Sequence, residues 1–228
     1  MIKEKDLIEI NLILKDNNTK EILDTNIESV AKEGNIFKTN MRYSPLKFVF
    51  GKKELLDSVE DNIKDLKIGE EKTFSLKKSQ AFGEREDAKI KLMQLSEFKK
   101  EKINPLSGMI VNLGGEIGKI LSVSGGRVKV DFNSEFAGKD LEYTIKLLKI
   151  FSEDLDKAKA ITEKYFYFLP LDKIKVNLIS NILEIQLPLG LPKEIDYFKQ
   201  SISHEIFDST NIENIKFVEN FSKKEHLH

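Results

Sequence analysis

The chain of 228 residues contains no cysteine and only three histidines, His204, His226 and His228. The absence of cysteine excludes disulfide frameworks, thiolate metal sites and thiol nucleophiles. A histidine-based catalytic triad would have to take its base from the last quarter of the chain, which disfavours that class of hydrolase. His226 and His228 alone make a poor metal site, so we expect no metal and no cofactor.

Long apolar runs and an excess of positive charge are also missing. No segment approaches the roughly 18–20 apolar residues of a membrane span, and residues 1–6 contain no apolar signal core. We therefore expect a cytoplasmic protein without a membrane partner. The formal net charge is −1, whereas binding to nucleic-acid phosphates requires a basic excess. A nucleic-acid module is therefore a disfavoured alternative, and no nucleic-acid partner is expected.

Strand-like segments and a short helix are predicted within residues 1–85 and 139–151. Four segments have the alternation or the apolar character of strands: residues 7–15, 46–50, 72–76 and 141–150. Apolar residues at helical spacing mark one face of the helix: Val59, Ile63 and Leu66. Asp57 is expected to cap the start of this helix, and Gly69 is expected to end it.

Residues 86–138 have a different pattern, which predicts a small all-β domain inserted into the first one. Its short β-like segments are residues 89–93, 109–113, 118–123 and 127–132. Paired glycines separate some of them, as in closely spaced strands joined by tight turns. A domain of this size buries only part of its apolar side chains, so some of them are expected at its surface.

A third domain, of the α+β class, is predicted for residues 152–228. Its elements are a helix at residues 153–168, a hairpin that turns at Ser180-Asn181, a helix with Pro192 in its first turn and a strand at residues 212–221. The segment Tyr165–Phe168 is a dense aromatic patch, one face of which is suited to an interface. Residues 223–228 are expected to form a solvated tail.

Three stretches of this sequence resemble the FKBP-type peptidyl-prolyl isomerases: residues 45–60 (PLKFVFGKKELLDSVE), 66–83 (LKIGEEKTFSLKKSQAFG) and 141–150 (LEYTIKLLKI). The inserted segment stands where simple members of the family have a short flap. The sequence SEFAGK lies just before the strand at residues 141–150. The inserted segment is thereby similar to the SlyD-like branch, which carries an insert-in-flap chaperone domain. The third domain resembles that of the long archaeal type. The resemblance implies an α+β fold: an FKBP-like antiparallel half-barrel on a short helix, with an inserted all-β domain and a C-terminal α+β domain.

The activity that this resemblance implies is rotation about Xaa–Pro bonds. Amide resonance gives this rotation a barrier of roughly 18–20 kcal/mol, and a catalyst only has to favour the twisted amide over the planar one. The twisted amide has less charge separation, so an apolar and water-poor pocket stabilises it relative to the planar form. Leu, Val, Phe and Tyr side chains are sufficient in kind for such a pocket, and neither histidine nor cysteine is needed.

Position by position, the resemblance implies a catalytic group and a substrate-binding group of residues. The catalytic group comprises Asp24, Leu56, Phe82 and Tyr143. Asp24 would face the twisting carbonyl, and the backbone N–H of Leu56 would bind a substrate carbonyl. The substrate-binding group comprises Leu12, Leu23, Leu46, Phe48, Leu55 and Val59. Taken singly, members of the second group also fit the ordinary core of a half-barrel.

Several of these positions depart from the family pattern. Leu23 and Leu46 stand where Phe is common, Val59 stands where Trp or Leu is expected, and Phe82 lacks the hydroxyl of the usual Tyr. With fewer aromatic side chains, the pocket packs less tightly around the proline ring, so we expect weak isomerase activity. The alternative is a catalytically weak or silent FKBP fold that holds unfolded polypeptides, and Val59 and Phe82 favour it.

The inserted domain is expected to hold unfolded or proline-containing polypeptides in an apolar groove. The predicted groove residues are Ile90, Leu92, Leu95, Phe98, Val128, Val130, Phe132 and Phe136. In the resembling proteins an extra C-terminal domain is associated with dimerisation. The sequence therefore also predicts a homodimer formed through residues 152–228.

Overall fold

The computed structural model describes residues 1–220, so Phe221, the predicted tail, His226 and His228 lie outside the described residues. In chain order, its strands and helices are β1 (Leu7–Asp16), β2 (Ile22–Thr25), α1 (Glu28–Glu33), β3 (Leu46–Val49), α2 (Asp57–Ile63), β4 (Glu71–Leu76), β5 (Ile90–Gln94), α3 (Leu95–Lys100), β6 (Ile110–Leu113), β7 (Glu116–Ser124), β8 (Arg127–Asp131), β9 (Leu141–Phe151), α4 (Asp154–Tyr165), β10 (Lys175–Ile179), β11 (Ile182–Leu187), α5 (Ile195–Ser209) and β12 (Asn214–Glu219). The predicted α+β class is confirmed.

The chain divides into two compact units: the first contains residues 1–15, 21–74 and 143 onwards, and the second contains residues 16–20 and 75–142.

The first sheet follows from the alternation of apolar side chains along β1. On one face Ile8, Ile10, Leu12 and Leu14 are buried, and the side chains between them are only half-buried. The strand order is β2-β1-β9-β4, and β3 pairs with β1 in an antiparallel register. The antiparallel sheet predicted from the sequence is therefore confirmed, including the return of the chain in β9 after the insertion.

Helix α2 differs from the prediction at both ends. Its N-cap is Leu56 rather than Asp57, and no side chain caps the helix. Leu56 has an extended backbone, and its carbonyl oxygen accepts the N–H groups of Val59 and Glu60 at 2.8 and 3.1 Å, so the helix begins one residue early. The helix ends at Ile63, well before the glycine that was expected to end it. Its predicted apolar face is nevertheless buried.

The elements after β9 follow the predicted order helix, strand, strand, helix, strand. In the β10–β11 hairpin, Ser180 and Asn181 have φ angles of 47° and 66°, and positive φ at both turn residues is typical of a type I′ turn. Strand β12 pairs with β11 in parallel. The prediction that Pro192 lies in the first turn of α5 is wrong. The Pro192 carbonyl accepts the Ile195 N–H at 3.1 Å in a separate turn, and the helix begins at Ile195.

One hydrophobic core joins these C-terminal elements to the first sheet. Leu7 of β1 and Val49 of β3, which are register partners, belong to it together with Phe151 of β9. The other buried members come from the C-terminal elements and their connections: Ala158, Ala160, Ile161, Phe166, Leu183, Ile185, Leu187, Ile195, Ile202, Ile206 and Ile212. The C-terminal elements therefore cover one face of the first sheet.

The second unit contains a four-stranded antiparallel sheet in the order β5-β8-β7-β6. All four predicted strands are present, but the insertion is not all-β, because helix α3 follows β5 directly. Phe98 of this helix packs with buried residues of β6, β7 and β8: Val111, Ile120, Val128 and Val130. One face of a sheet needs a second layer to bury its apolar residues, and α3 contributes to that layer.

Candidate substrate-binding site

A cavity of about 490 Å³ opens in the first unit beside β1, β2 and β3. Three of the residues predicted for the site line it: Leu12, Asp24 and Leu46. Its remaining walls come from the loop that leads into β3 and from the segment at and after the end of α4. The lining combines apolar side chains with carboxylates and cationic groups, so the cavity can accept a ligand that has both apolar and hydrogen-bonding parts.

The β1 wall of the cavity is fixed by two polar side chains, one at the last residue of β2 and one at the residue after it. The Thr25 hydroxyl donates to the Leu12 carbonyl at 2.7 Å. The Asn26 side chain accepts the Leu12 N–H at 2.8 Å and donates to the Ile10 carbonyl at 2.9 Å. Asn26 thus continues the pairing of the β1 backbone where β2 ends. This places Leu12 and the preceding Asp24 at one rim of the cavity.

Asp24 and Tyr143, both predicted to be catalytic, are close enough to interact electrostatically. Burial raises the pKa of Tyr143 to about 12, and the negative charge of Asp24 adds to the rise. The Tyr143 ring is buried and stacks on Phe74 with a distance of 5.7 Å between the ring centroids. The Tyr143 hydroxyl therefore keeps its proton near neutral pH and remains a hydrogen-bond donor.

The other predicted residues of the first unit fall into two groups by exposure. Phe48 and Val59 are each 1% exposed, so they belong to the sheltered interior and do not form an open surface. Leu23, Leu55 and Leu56 are half-buried. Among residues 1–220, no group accepts a hydrogen bond from the backbone N–H of Leu56. That N–H can therefore serve a substrate carbonyl, as predicted for it.

The turn between β3 and α2, which presents Leu56, is held by a carboxylate and a cation. Glu54 Oε1 accepts the Val49 N–H at 2.9 Å, and Glu54 Oε2 accepts a hydrogen bond from Lys164 Nζ at 2.9 Å. Lys164 also contacts both carboxylate oxygens of Glu205, at 2.9 and 3.1 Å. Since Lys164 and Glu205 belong to α4 and α5, the C-terminal elements restrain this turn.

A buried carboxylate lies under the same turn. Glu60 Oε2 accepts the Gly51 N–H at 2.8 Å, whereas Oε1 is buried with no hydrogen-bond partner among the described residues. Burial raises the pKa of Glu60, and the hydrogen bond from Gly51 partly opposes this effect. The protonated form of Glu60 is therefore favoured relative to an exposed glutamate.

Phe82, the fourth residue predicted to be catalytic, belongs to the second unit. Its half-buried ring contacts that of Phe136, with 5.2 Å between the centroids. Phe136 was predicted to belong to the chaperone groove. The two rings connect the segment after β4 to the end of the insertion.

The predicted chaperone groove is wrong for three of its residues. Phe98, Val128 and Val130 are completely buried in the core of the insertion and cannot contact a client while this core is intact. The remaining members differ in exposure: Leu95 and Phe132 pack against the core, Ile90 and Phe136 are half-buried, and Leu92 is exposed. The sequence alone did not show which residues α3 helps to bury.

A different apolar surface is exposed at the β6 edge of this sheet. Ile110 and Ile117 are 69% and 67% exposed. Ile110 pairs with Lys119, and Asn112 pairs with Ile117, so the two isoleucines are diagonal neighbours on the face opposite the buried Val111. Two further exposed residues, Leu106 and Met109, precede β6. We call these four residues the β6 surface: Leu106, Met109, Ile110 and Ile117.

Sequence reasoning missed the contribution of the C-terminal elements to the cavity. Tyr167 and Leu171 line it, although they are far from β1 in sequence. The aromatic patch at residues 165–168 was a partial signal. Phe166 is buried in the core, whereas Tyr167 and Phe168 are exposed. Nothing local in the sequence indicates that Tyr167 lies beside the first sheet.

Three family models match this chain. The model described as FKBP-type peptidyl-prolyl cis-trans isomerase matches residues 15–103. The model described as FKBP26, IF domain, matches residues 91–136, and the model described as FKBP26_C-terminal matches residues 154–222. The resemblance to an isomerase with an insert-in-flap domain and the long archaeal C-terminal domain is confirmed.

Two curated relatives extend this result. The chain is 33% identical over 147 residues to the short-type peptidyl-prolyl cis-trans isomerase of Methanocaldococcus jannaschii, covering 64% of this chain and 92% of that protein. It is 32% identical over 111 residues to the FKBP-type 16 kDa peptidyl-prolyl cis-trans isomerase of Escherichia coli K12, covering 46% of this chain and 74% of that protein. The chain therefore belongs to the family of FKBP-type peptidyl-prolyl cis-trans isomerases.

Proposed function

We propose that this protein rotates Xaa–Pro bonds at the cavity beside β1 and β3, with modest activity, and also holds unfolded polypeptides. The observation that carries the proposal is a cavity lined by Leu12, Asp24 and Leu46 in a chain of this family. The family resemblance assigns all three residues to the proline site.

The proposed mechanism uses an apolar pocket that excludes water, together with hydrogen bonds to the substrate, and has no covalent step. Leu12 and Leu46 supply apolar surface that favours the less polar, twisted amide over the planar one. Asp24 lies at the rim, beside the protonated Tyr143. The backbone N–H of Leu56, a residue outside the cavity lining, is the proposed donor to a substrate carbonyl. The modest rate follows from the small number of aromatic side chains available to enclose the proline ring.

A protease-free assay on a short proline peptide tests this mechanism. Asp24→Asn should lower kcat/KM by about tenfold, which corresponds to roughly 1.4 kcal/mol of transition-state stabilisation. Asp87→Asn is the matched control, because Asp87 is an exposed aspartate of the second unit and should leave kcat/KM unchanged. Absence of isomerisation by the unmodified protein, or an equal effect of both substitutions, would contradict the mechanism.

The proposed chaperone activity belongs to the insertion and uses the β6 surface. Edge strands accept extended segments by backbone pairing, and exposed apolar residues next to the edge add side-chain contacts. Deleting residues 86–138 should leave peptide isomerisation largely intact and strongly reduce catalysis of proline-limited refolding of a protein. Replacing Ile110 and Ile117 together by Ser should have the same selective effect, whereas the control Val123→Ser should not. Equal losses in both assays would contradict this division of labour.

A second candidate function is a catalytically silent holdase. It is favoured by the near-complete burial of Phe48 and Val59, because these two side chains offer no accessible surface to a proline ring. The two functions differ in a refolding experiment at substoichiometric concentration. An isomerase accelerates the slow proline-limited phase, whereas a holdase slows refolding in proportion to its amount.

Domain limits, oligomeric state and location are proposals as well. We infer an isomerase domain at residues 1–85 and 139–151, an insert-in-flap domain at 86–138 and a C-terminal domain at 152–228. A homodimer through the C-terminal domain is supported by exposed aromatic residues there, and light scattering that gives a monomer mass at high micromolar concentration would exclude it. Within residues 1–220, no helix is both long enough and apolar enough to cross a membrane. The cytoplasmic location is tested by cell fractionation.

A further inference from the structure

The cavity beside β1 and β3 has a second apolar end that the proposed mechanism does not use. This end is formed by Tyr167 and Leu171, which are 55% and 51% exposed and follow helix α4. A volume of about 490 Å³ lies within the roughly 300–1,000 Å³ typical of ligand sites and exceeds what one proline ring needs. The cavity therefore has room for residues on either side of the proline.

Specific contacts hold this second end in place against the first sheet. Arg42 Nη1 donates to the Tyr167 carbonyl at 2.8 Å, and the guanidinium lies 5.8 Å from the centre of the Tyr167 ring. Lys47 of β3 pairs with Glu163 of α4 at 3.0 Å. The cavity wall is thus formed before any ligand binds, which lowers the entropic cost of binding.

The chemistry of the cavity fits an extended polypeptide. Tyr167 and Leu171 offer apolar surface to a side chain. Neither Asp24 nor Arg42 forms an ion pair with another residue in the described range 1–220. A carboxylate that can accept a peptide N–H and a guanidinium that can donate to a peptide carbonyl therefore both border the same cavity.

We propose that the C-terminal domain forms a subsite of the isomerase, in which Tyr167 and Leu171 bind an apolar residue that flanks the proline of an unfolded polypeptide. The residue bound at this subsite belongs to the same substrate polypeptide whose proline contacts Leu12 and Leu46, because one continuous cavity connects the two ends. The inference rests on the proposed isomerase function and adds a preference for longer substrates with an apolar flanking residue.

The test compares two peptides in the protease-free assay with Tyr167→Ala/Leu171→Ala. One is a tetrapeptide with the Xaa–Pro bond at its centre, and the other is a decapeptide with leucines on both sides of the same bond. The double variant should lower kcat/KM for the decapeptide by about fivefold, which corresponds to about 1 kcal/mol, and should leave the tetrapeptide unchanged. Leu171→Ala alone removes no hydrogen bond of the described structure and should lower kcat/KM for the decapeptide by a smaller factor. This single variant replaces the double variant in the test if the double variant is unstable.

The matched control is Tyr197→Ala/Leu178→Ala. These residues belong to the same part of the chain, are 73% and 41% exposed, and do not line the cavity; their replacement should leave both peptides unaffected. Equal changes for both peptides would overturn the subsite and leave the isomerase function intact. Loss of a dimer in light scattering with no change in peptide preference would show that Tyr167 and Leu171 contact a second copy instead. If the unmodified protein isomerises neither peptide, the proposed function fails, and the subsite fails with it.

Discussion

Replacing Gly118 by alanine should destabilise the insertion selectively. Gly118 is buried in β7, and a Cβ atom there would lie 2.6 Å from Val130 Cγ1 and 2.9 Å from two ring carbons of Phe132. Carbon atoms in contact prefer about 3.5–4.0 Å, so the neighbours would have to move by about 1 Å. Val130 is completely buried, and its β-branched side chain is stiff. Overpacking of this kind costs about 1–3 kcal/mol.

That cost is large for this domain, because a small core rarely contributes more than about 3–5 kcal/mol of net stability. The residues to monitor are those of β6, β7 and β8, whose amide hydrogens should exchange about 5–150-fold faster in Gly118→Ala. The exposed neighbour Lys119 supplies the control Lys119→Ala. Peptide isomerisation should persist, while catalysis of proline-limited refolding should fall. Unchanged exchange in Gly118→Ala would refute the packing argument, and parallel loss of peptide isomerisation would refute the functional separation.

Three further predictions concern the first unit. Because burial raises the pKa of Glu60, its contribution to stability is present when it is protonated and is lost as the pH rises through the raised pKa. Glu60→Gln should therefore gain stability relative to the unmodified protein as the pH rises above the usual glutamate pKa in urea unfolding, and the exposed Glu33→Gln should not. Lys164→Met should lower the free energy of unfolding by about 1–2 kcal/mol, since two carboxylates lose their cation, whereas the exposed Lys159→Met should change it little. A chain ending at residue 151 should bind an apolar dye strongly, because it exposes the buried outer faces of β1 and β3; weak dye binding would contradict the shared core.

Local patterns predicted most of the elements because strand and helix periods are properties of neighbouring residues. The alternation along β1 and the two turn residues Ser180 and Asn181 needed no tertiary information. The start of α2 was misplaced by one residue. Asp57 and Glu60 have the spacing of a capping box, but the carbonyl of Leu56 already accepts the first helical hydrogen bonds. A capping signal therefore located the helix without fixing its first residue.

Predictions failed where two distant segments decide the outcome. Eight apolar residues of the insertion were predicted to form the client groove. Phe98 packs with the buried Val128, whereas Ile110, which was not part of that prediction, is exposed. For the cavity, the sequence predicted that Asp24 belongs to the site, and Asp24 lies at its rim. Nothing in the spacing of residues along the chain could place Tyr167 across from it, because that position depends on how a complete C-terminal core packs on β1 and β3.

The C-terminal elements therefore form part of the cavity wall and restrain the neighbouring turn. They bury the outer side of the sheet through Leu7 and Val49, and through Lys164 they hold Glu54, the residue that closes the turn presenting the Leu56 N–H. We expect displacement of α4 to change both the position of that N–H and the wall of the cavity. By linkage, a substrate that binds better to the ordered turn must also favour the docked position of α4. Binding of an unfolded polypeptide at this cavity and packing of the C-terminal elements on the sheet should thus stabilise each other.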